Sequence, residues 1–349
     1  MQMRKLAAVG FAVITLGLSA SAVLAAKPTS SAKPEIAVAE FGTGKVAHVT
    51  VPDKGHVSIS LIDVNGSPFD VKSPDGVMVY ASVWSSGAPG STNGIKILSF
   101  AKKDTVTGAM ATSGTPRYMV INDAGTVLAV ATSNGVDLFN IAGSGTSRAN
   151  LFITTITFNG AMNVAFSGTR LAIVGSAGVA LYDISNSASP VLIANRDFGT
   201  LATAVTFSPG NSKLYVGFGG QASAYDANSN LLAGNLFVLN TSTLAPQNAL
   251  QLDFANVANF SIAYSRLYVT ADYGVLNVID TVNDTLVAST NLGSYLSGID
   301  SSATKLFVAE ENFGKVYTII LGGSASTDQI GLAVDLGASS QPIGLEVLK

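Results

Sequence analysis

Residues 266–293 read RLYVTADYGVLNVIDTVNDTLVASTNLG. Two apolar runs, LYVTA and VLNVIDT, flank a turn at Gly274, and a third, TLVASTNL, follows the Asn283-Asp284 turn. Short runs rich in Val, Leu, Tyr and Thr, bounded by Gly, Asn and Asp, are the pattern of strands joined by tight turns. One copy gives only a meander. Variants of it recur seven times along the chain, and the recurrence decides the fold.

The repeat is clearest in the middle pair of strands of each copy. The first of the pair reads IAVAE from Ile36, VMVYAS from Val77, VLAVAT from Val127, LAIVG from Leu171, LYVGFG from Leu214, LYVTAD from Leu267 and LFVAEE from Leu306. A glycine then opens each partner strand: Gly44, Gly94, Gly135, Gly178, Gly234, Gly274 and Gly314. These glycines are spaced by 40 to 56 residues, around the length of a four-stranded propeller blade. The expected architecture is all-β, a seven-bladed β-propeller of four-stranded antiparallel blades. Inner strands are expected near Phe69, Tyr118, Met162, Ala204, Phe260 and Ile299, and outer strands at VTGAMATS, ANLFITTITF, PVLIANRDF, LQLDF from Leu250, TLVASTNL and IGLAVDL.

Ring closure follows from the two ends. PEIAVAEFGTGKVAHVTV from Pro34 aligns with TKLFVAEENFGKVYTIIL from Thr304, so the first blade enters at its second strand. HVSISLIDV from His56 supplies that blade's outer edge, and QPIGLEVLK from Gln341 reads as its missing inner strand. A C-terminal strand joined to the N-terminal blade pairs edges that would otherwise invite association.

Upstream of the repeats, MQMRK and LAAVGFAVITLGLSASAVLA give a basic start, an apolar run and small residues before Ala25 and Ala26. The expectation is a signal peptide over 1–26, a mobile polar tail over 27–33, and one propeller domain over 34–349. A retained anchor is the rival reading, because the apolar run is nearly long enough to span a bilayer. The mature chain carries no other candidate span. With no cysteine there is no lipobox, disulfide or thiolate metal site. Only 12% of residues are charged, the net charge is −3, and no basic run exceeds Lys102-Lys103. Nucleic-acid binding, which requires a basic stripe to neutralise phosphates, is excluded as an expectation.

The LYVTADYGVLNVIDT stretch, and more loosely LYVGFG and LFVAEE with their partners, resemble the YVTN-type β-propeller repeat. The resemblance is strongest over 203–321 and faint over 68–159. It implies an exported or cell-surface propeller. The wider family includes surface binding proteins and, more distantly, sugar-lactone hydrolases, but no catalytic motif of those hydrolases can be placed on this chain.

Propellers usually bind ligands where the strand-pair loops and blade crossings meet around the channel mouth. Two of these loops read as long, WSSGAPGSTN from Trp84 and GGQASAYDANSNLLAG from Gly219, three blades apart. Trp84, the only tryptophan, and Tyr225 are therefore candidates for stacking on a sugar or apolar face; the alternative for Trp84 is that it covers a hydrophobic edge. A second set ends the same strand in three consecutive blades: Asp272 beside Tyr273, Glu310 and Glu311 beside Phe313, and Glu40 beside Phe41. Converging carboxylates can hold Ca²⁺ or meet a cationic partner, and solvated acids are the alternative. Arg117 can face the channel and bind an anion, or tie two blades together.

His48 and His56 form at most a two-ligand pair. Asp183, Asp280, Asn140 and Asn240 fit turn-capping roles. With two histidines in the chain, copper, haem and His-based acid–base chemistry are hard to build. No cofactor is expected. The expected function is a non-enzymatic binding or scaffold propeller that meets a protein or glycan partner in the envelope, as a monomer or a subunit of a larger complex. The alternative is a lactonase-like or other metal-assisted hydrolase using carboxylates at the channel mouth.

Overall fold

The glycine that opens the third strand of each blade faces a main-chain carbonyl of the outer strand or of the crossing after it. A Cβ placed there would lie between 1.8 Å (Gly314 against the Gly337 carbonyl) and 2.9 Å (Gly44 against the Gly66 carbonyl) from that oxygen in all seven blades. No side chain fits at such distances, so the periodic glycine is the steric condition for the outer strand to close onto its blade.

Seven four-stranded antiparallel sheets result. The computed structural model describes residues 33–52, 56–101, 103–252 and 257–348; the expected signal peptide and nearly all of the polar tail lie outside these. Blades are numbered 1 to 7 from the N-terminus. The inner strands of blades 2 to 7 are Ser67–Lys72, Pro116–Ile121, Ala161–Ser167, Ala202–Phe207, Val257–Ala263 and Leu296–Ser301. Blade 1 takes its inner strand from the chain's end: Pro342–Leu348 pairs with Glu35–Glu40, with Val347 opposite Ile36 and Leu345 opposite Val38. The closure expected from the sequence is therefore the observed one. Among the described residues no helix is long and apolar enough to cross a membrane.

The core is a set of seven clusters, one between each pair of neighbouring blades. The second strands supply most of it, because both of their faces are covered: Ile36, Val38, Leu171, Ile173, Leu267 and Val269 are fully buried. Each such side chain contributes about 1.5–3 kcal/mol by leaving water.

A tyrosine in three of these strands adds a polar tie to the next blade. Tyr80 donates to Asn150 Oδ1 at 2.7 Å, Tyr215 to Asp284 Oδ1 at 2.8 Å and Tyr268 to Asp328 Oδ2 at 2.8 Å. Each acceptor sits in the loop before the neighbour's outer strand. Lys213–Asp284 at 2.7 Å and Arg266–Asp328 at 2.9 Å bring a charge to two of the same junctions. The tyrosine of the LYV motif is thus a junction residue.

The turn-capping assignments hold. The Asp183, Asp280, Asn140 and Asn240 side chains each accept a main-chain N–H two residues on, at 2.7–2.9 Å.

Two expectations need correction. The 219–234 segment is not a loop. Its strands continue through it, Lys213–Tyr225 against Leu231–Asn240, with Ala222 opposite Gly234 and Tyr225 opposite Leu231. A bulge between Gly217 and Ala222 absorbs the irregular spacing. The outer strand of blade 5 is Pro246–Leu250 rather than a segment beginning at Leu250. The Asn240-capped turn reverses the chain early and sets Pro246 opposite Leu239.

Candidate functional site

The inner strands surround a channel that holds, among the described residues, an upper cavity and two lower ones that share Thr206, Phe260, Asp300 and Glu346. The upper, of about 390 Å³, lies on the face of the strand-pair turns and blade crossings and is lined by Phe69, Tyr118, Met162, Leu201, Tyr295 and Ile343, with Thr203, Ser297 and Glu311 among them. Of the lower two, one of about 340 Å³ runs down to the 73–76 and 122–125 turns and one of about 640 Å³ runs down to Ser302 and Ala303. Tyr118 lines the upper cavity and the smaller lower one and forms the septum. Its ring meets Phe69 edge-on at 5.0 Å.

Most of the residues expected on the upper face hold the rim itself. Trp84 stacks on Phe69 at 5.1 Å with planes 9° apart, meets Phe41 edge-on at 5.4 Å, and donates its indole N–H to the Pro116 carbonyl. It joins blades 1, 2 and 3. Arg117 donates to the Ala161 carbonyl at 3.4 Å and reaches the Met162 sulfur, which places it as a tie between blades 3 and 4. Burial lowers its pKa. Tyr225 is 62% exposed at the end of the projecting hairpin, where Arg196 donates to its carbonyl at 3.3 Å. It does not line the mouth.

The acids divide in two. Glu40 and Glu310 are buried and hold main-chain segments at the rim: Glu40 Oε2 accepts the Thr43 hydroxyl of its own turn at 2.6 Å, and Glu310 accepts the Ser294 hydroxyl of the blade 6–7 crossing at 2.9 Å and the Phe313 N–H of its own turn at 2.7 Å. Burial pushes Glu40 up, with Thr43 and Lys45 opposing. Asp272 and Glu311 instead converge on Tyr295. Asp272 is bridged to Tyr295 along the main chain, and the Glu311 N–H donates to the Tyr295 carbonyl at 2.9 Å.

Burial and the neighbouring charges of Glu310 and Asp272 raise Glu311, while burial and the charges of Asp272 and Glu311 push the Tyr295 phenol up to about 12. Tyr273 and Phe313, 67% and 54% exposed, stand on the adjacent turns. Of the expected residues, then, Glu311 lines the mouth, Asp272 backs it, Tyr273 and Phe313 stand on its turns, and Glu40 is turned away. Among the described residues no group of three or more His, Cys, Asp or Glu side chains is placed to hold a metal ion. His48 lies between Asp104, at 3.1 Å, and Glu35, at 3.5 Å, and stacks on Phe100; His56 is exposed and apart from it.

The smaller lower cavity holds residues that the sequence reading passed over. Strand register puts the inner-strand side chains in tiers. Glu346, Lys72 and Asp300 lie opposite the equivalent residues Ala37, Tyr80 and Phe307 and so share one tier in blades 1, 2 and 7. Asp70 stands one tier above, with Asn163 of blade 4 and Asn259 of blade 6. Glycines let these three blades crowd together: a Cβ on Gly344 would lie 2.4 Å from Asp70 Cα, and one on Gly298 would lie 2.3 Å from the Ile343 carbonyl.

Lys72 Nζ lies 3.1 Å from Glu346 Oε2 and 3.6 Å from Asp70 Oδ1. Main-chain donors fix the other acids: Met119 N–H to Asp70 Oδ2 at 2.8 Å, Val347 N–H to Asp300 Oδ2 at 2.7 Å. Burial raises Asp70 against the pull of Lys72. Burial, reinforced by Asp300 and Asp70, lifts Glu346 to about 7 although Lys72 draws it down. Burial disfavours the Lys72 charge, but the carboxylates of Asp70, Glu346 and Asp300 outweigh it and hold the ammonium charged. The sequence signal was present: PFDVK, GID and GLEV each put a charge inside a strand whose counterparts read Val120, Ala165, Thr206 and Ser261.

No protein-family model matches the chain, and no curated protein matches it. Solved structures do. A candidate 6-phosphogluconolactonase of Bacteroides fragilis superposes with a TM-score of 0.69 at 14% identity, over 93% of this chain and 100% of that one. A Lactobacillus plantarum protein gives 0.66 at 14% identity, over 90% and 99%. Apo AztD of Citrobacter koseri gives 0.55 at 12% identity, over 89% and 97%. Likeness at such identity is a likeness of fold, and it agrees with the seven four-stranded blades described above.

Proposed function

We propose that this chain is an exported, non-enzymatic binding propeller of the YVTN repeat type, which takes a protein or glycan partner on its loop face, alone or as a subunit of a larger envelope complex. The observation that carries this reading is the make-up of the upper mouth. Its cavity is lined largely by aromatic and aliphatic side chains, and exposed Tyr273 and Phe313 stand on the adjoining turns. Exposed rings beside an apolar hollow present the surface on which sugar faces and apolar peptide side chains stack. Glu40 and Glu310, two of the acids at the strand ends, are engaged in holding turns and crossings. Export rests on the N-terminal run described under the sequence.

The test is capture from the envelope fraction with the mature chain and with Tyr273→Ser/Phe313→Ser, using Leu192→Ser on an outer strand as control. The reading expects a partner retained by the control and lost by the double variant. Equal capture by all three removes it. A lactonase-like or other metal-assisted hydrolase is the alternative, supported by the fold shared with the Bacteroides protein and by Asp272 and Glu311 meeting at Tyr295. Metal-dependent lactone hydrolysis by the purified chain, lost in Glu311→Gln, would favour it.

A further inference from the structure

The upper cavity carries one acid and no base. Among the described residues of its lining Glu311 is the one charged side chain, and Phe69, Tyr118 and Tyr295 give it three aromatic rings. Among the described residues the half-buried Glu311 carboxylate receives no hydrogen bond and no ion pair, and the charges that bear on it, those of Glu310 and Asp272, are both negative. Those two acids are engaged elsewhere: Glu310 by Ser294 and Phe313, Asp272 by the Tyr295 phenol. Arg117 is turned to Ala161 and Met162 and does not line the cavity. A carboxylate drawn out of water beside like charges is a group that an incoming cation stabilises.

The rings favour the same charge. Aromatic faces attract a cation that comes within about 6 Å of the ring centre, more strongly where water is displaced. Two of the three are also fixed in advance: Trp84 stacks on Phe69, and the Phe69 ring meets Tyr118 edge-on at 5.0 Å. Little ordering of that wall is left to oppose binding.

We propose, resting on the reading of the upper mouth as a protein-binding surface, that the group it takes from its partner is a lysine side chain, with the ammonium between Glu311 and the rings and the methylene stem along Leu201 and Ile343. A volume of about 390 Å³, at the small end of ligand cavities, suits one long side chain. Tyr273 and Phe313, exposed on the adjoining turns, extend the contact surface beyond the hollow, as a residue carried on a larger partner requires and a free amine does not. A compact ammonium is met by one carboxylate, whereas the planar fork of arginine is matched by paired acceptors.

Calorimetric titration of the intact chain at pH 8 with butylammonium, against butanol and butanoate, tests the pocket. Butylammonium should bind at least about tenfold more tightly than either control. Glu311→Gln, which keeps the shape and removes the charge, should weaken butylammonium about tenfold and leave butanol unchanged. Tyr295→Leu should weaken it about threefold, and Tyr295→Phe, which keeps the ring, by less than about twofold. No binding of butylammonium at about 50 mM, controls that bind as tightly, or indifference to Glu311→Gln overturns the proposal. Envelope capture separates it from the reading on which it rests. A partner lost with Tyr273→Ser/Phe313→Ser, but kept by Glu311→Gln and kept after acetylation of the envelope proteins' lysines, leaves the binding surface standing and removes the lysine. Equal capture by every variant removes the surface itself.

Discussion

The two halves of the channel are built on the same seven strands and differ in what their side chains do. Above Tyr118 the lining is Phe69, Met162, Leu201, Tyr295 and Ile343, held by ring stacking and hydrogen bonds to main chain. Below it the lining carries Asp70, Lys72, Asp300 and Glu346, held by charge and main-chain N–H groups. The blade scaffold specifies its second and third strands tightly, because neighbours cover both faces. It leaves the channel-facing residue of each inner strand free to vary. The two ends of one channel therefore carry different side-chain chemistry on the same scaffold.

The largest effect is expected where the lower half loses its cation. Lys72→Met leaves Asp70 and Glu346 facing each other unpaired, and breaking a buried pair in this way costs about 3–5 kcal/mol. Urea unfolding should show that loss at pH 8 and a smaller one at pH 5, where Glu346 is already protonated. Equal losses at both pH values would mean that the lower half is held by packing, like the upper.

Trp84→Ala gives the matching measurement above the septum. Removing a partly buried ring that stacks on Phe69 and meets Phe41 edge-on costs about 2–3 kcal/mol, somewhat below the figure for a fully buried tryptophan. The loss should be the same at pH 5 and pH 8, because the contacts are uncharged. A strong pH dependence here would erase the contrast.

Glu346→Gln comes next. In the folded chain Glu346 titrates near 7, above the ordinary value of 4.5, so the native state holds a proton that the unfolded state releases. Its contribution is present in full below 4.5 and is lost as pH rises to about 7; Glu40 and Glu311, also raised, act in the same sense. Asp75, Asp183, Asp226 and Asp280 are lowered and act oppositely, losing their contribution as pH falls below the ordinary 3.8. Stability should peak between those limits. Glu346→Gln should flatten the alkaline flank by on the order of 1–3 kcal/mol. An unchanged stability–pH profile would place that titration elsewhere.

The contrast also explains what the sequence disclosed. Blade number, strand order and closure were legible because Gly44 to Gly314 answer one steric demand repeated seven times, and because Ile343 to Val347 carry the apolar pattern of an inner strand. The channel was less legible, because its residues come from seven strands and meet only when the ring closes. Asp70 and Glu346 are 276 residues apart in the sequence. The upper acids were read by position at a strand end. That register is right, but it does not reveal that Glu40 and Glu310 turn inward to their own loops while Glu311 reaches the mouth. The 219–234 segment has the Gly, Ser and Asn content of a loop, and the pairing of Ala222 with Gly234 leaves no mark on that composition.

The smallest effect on stability, and the sharpest on the upper half, is expected from Tyr273→Ser and Phe313→Ser. Both rings are more than half exposed on short turns. Tyr273 sits at φ 59°, a left-handed conformation that serine tolerates no worse than tyrosine. Both changes fall on largely exposed side chains, so each should shift stability by no more than about 0.5 kcal/mol. A shift that small would mean that the rings add little to the fold, as the proposed partner contact requires. If either substitution destabilised the chain by more than about 2 kcal/mol, the ring would be working for the blade, as Trp84 does, and the exposed surface at the mouth would shrink to Tyr295 and its two acids.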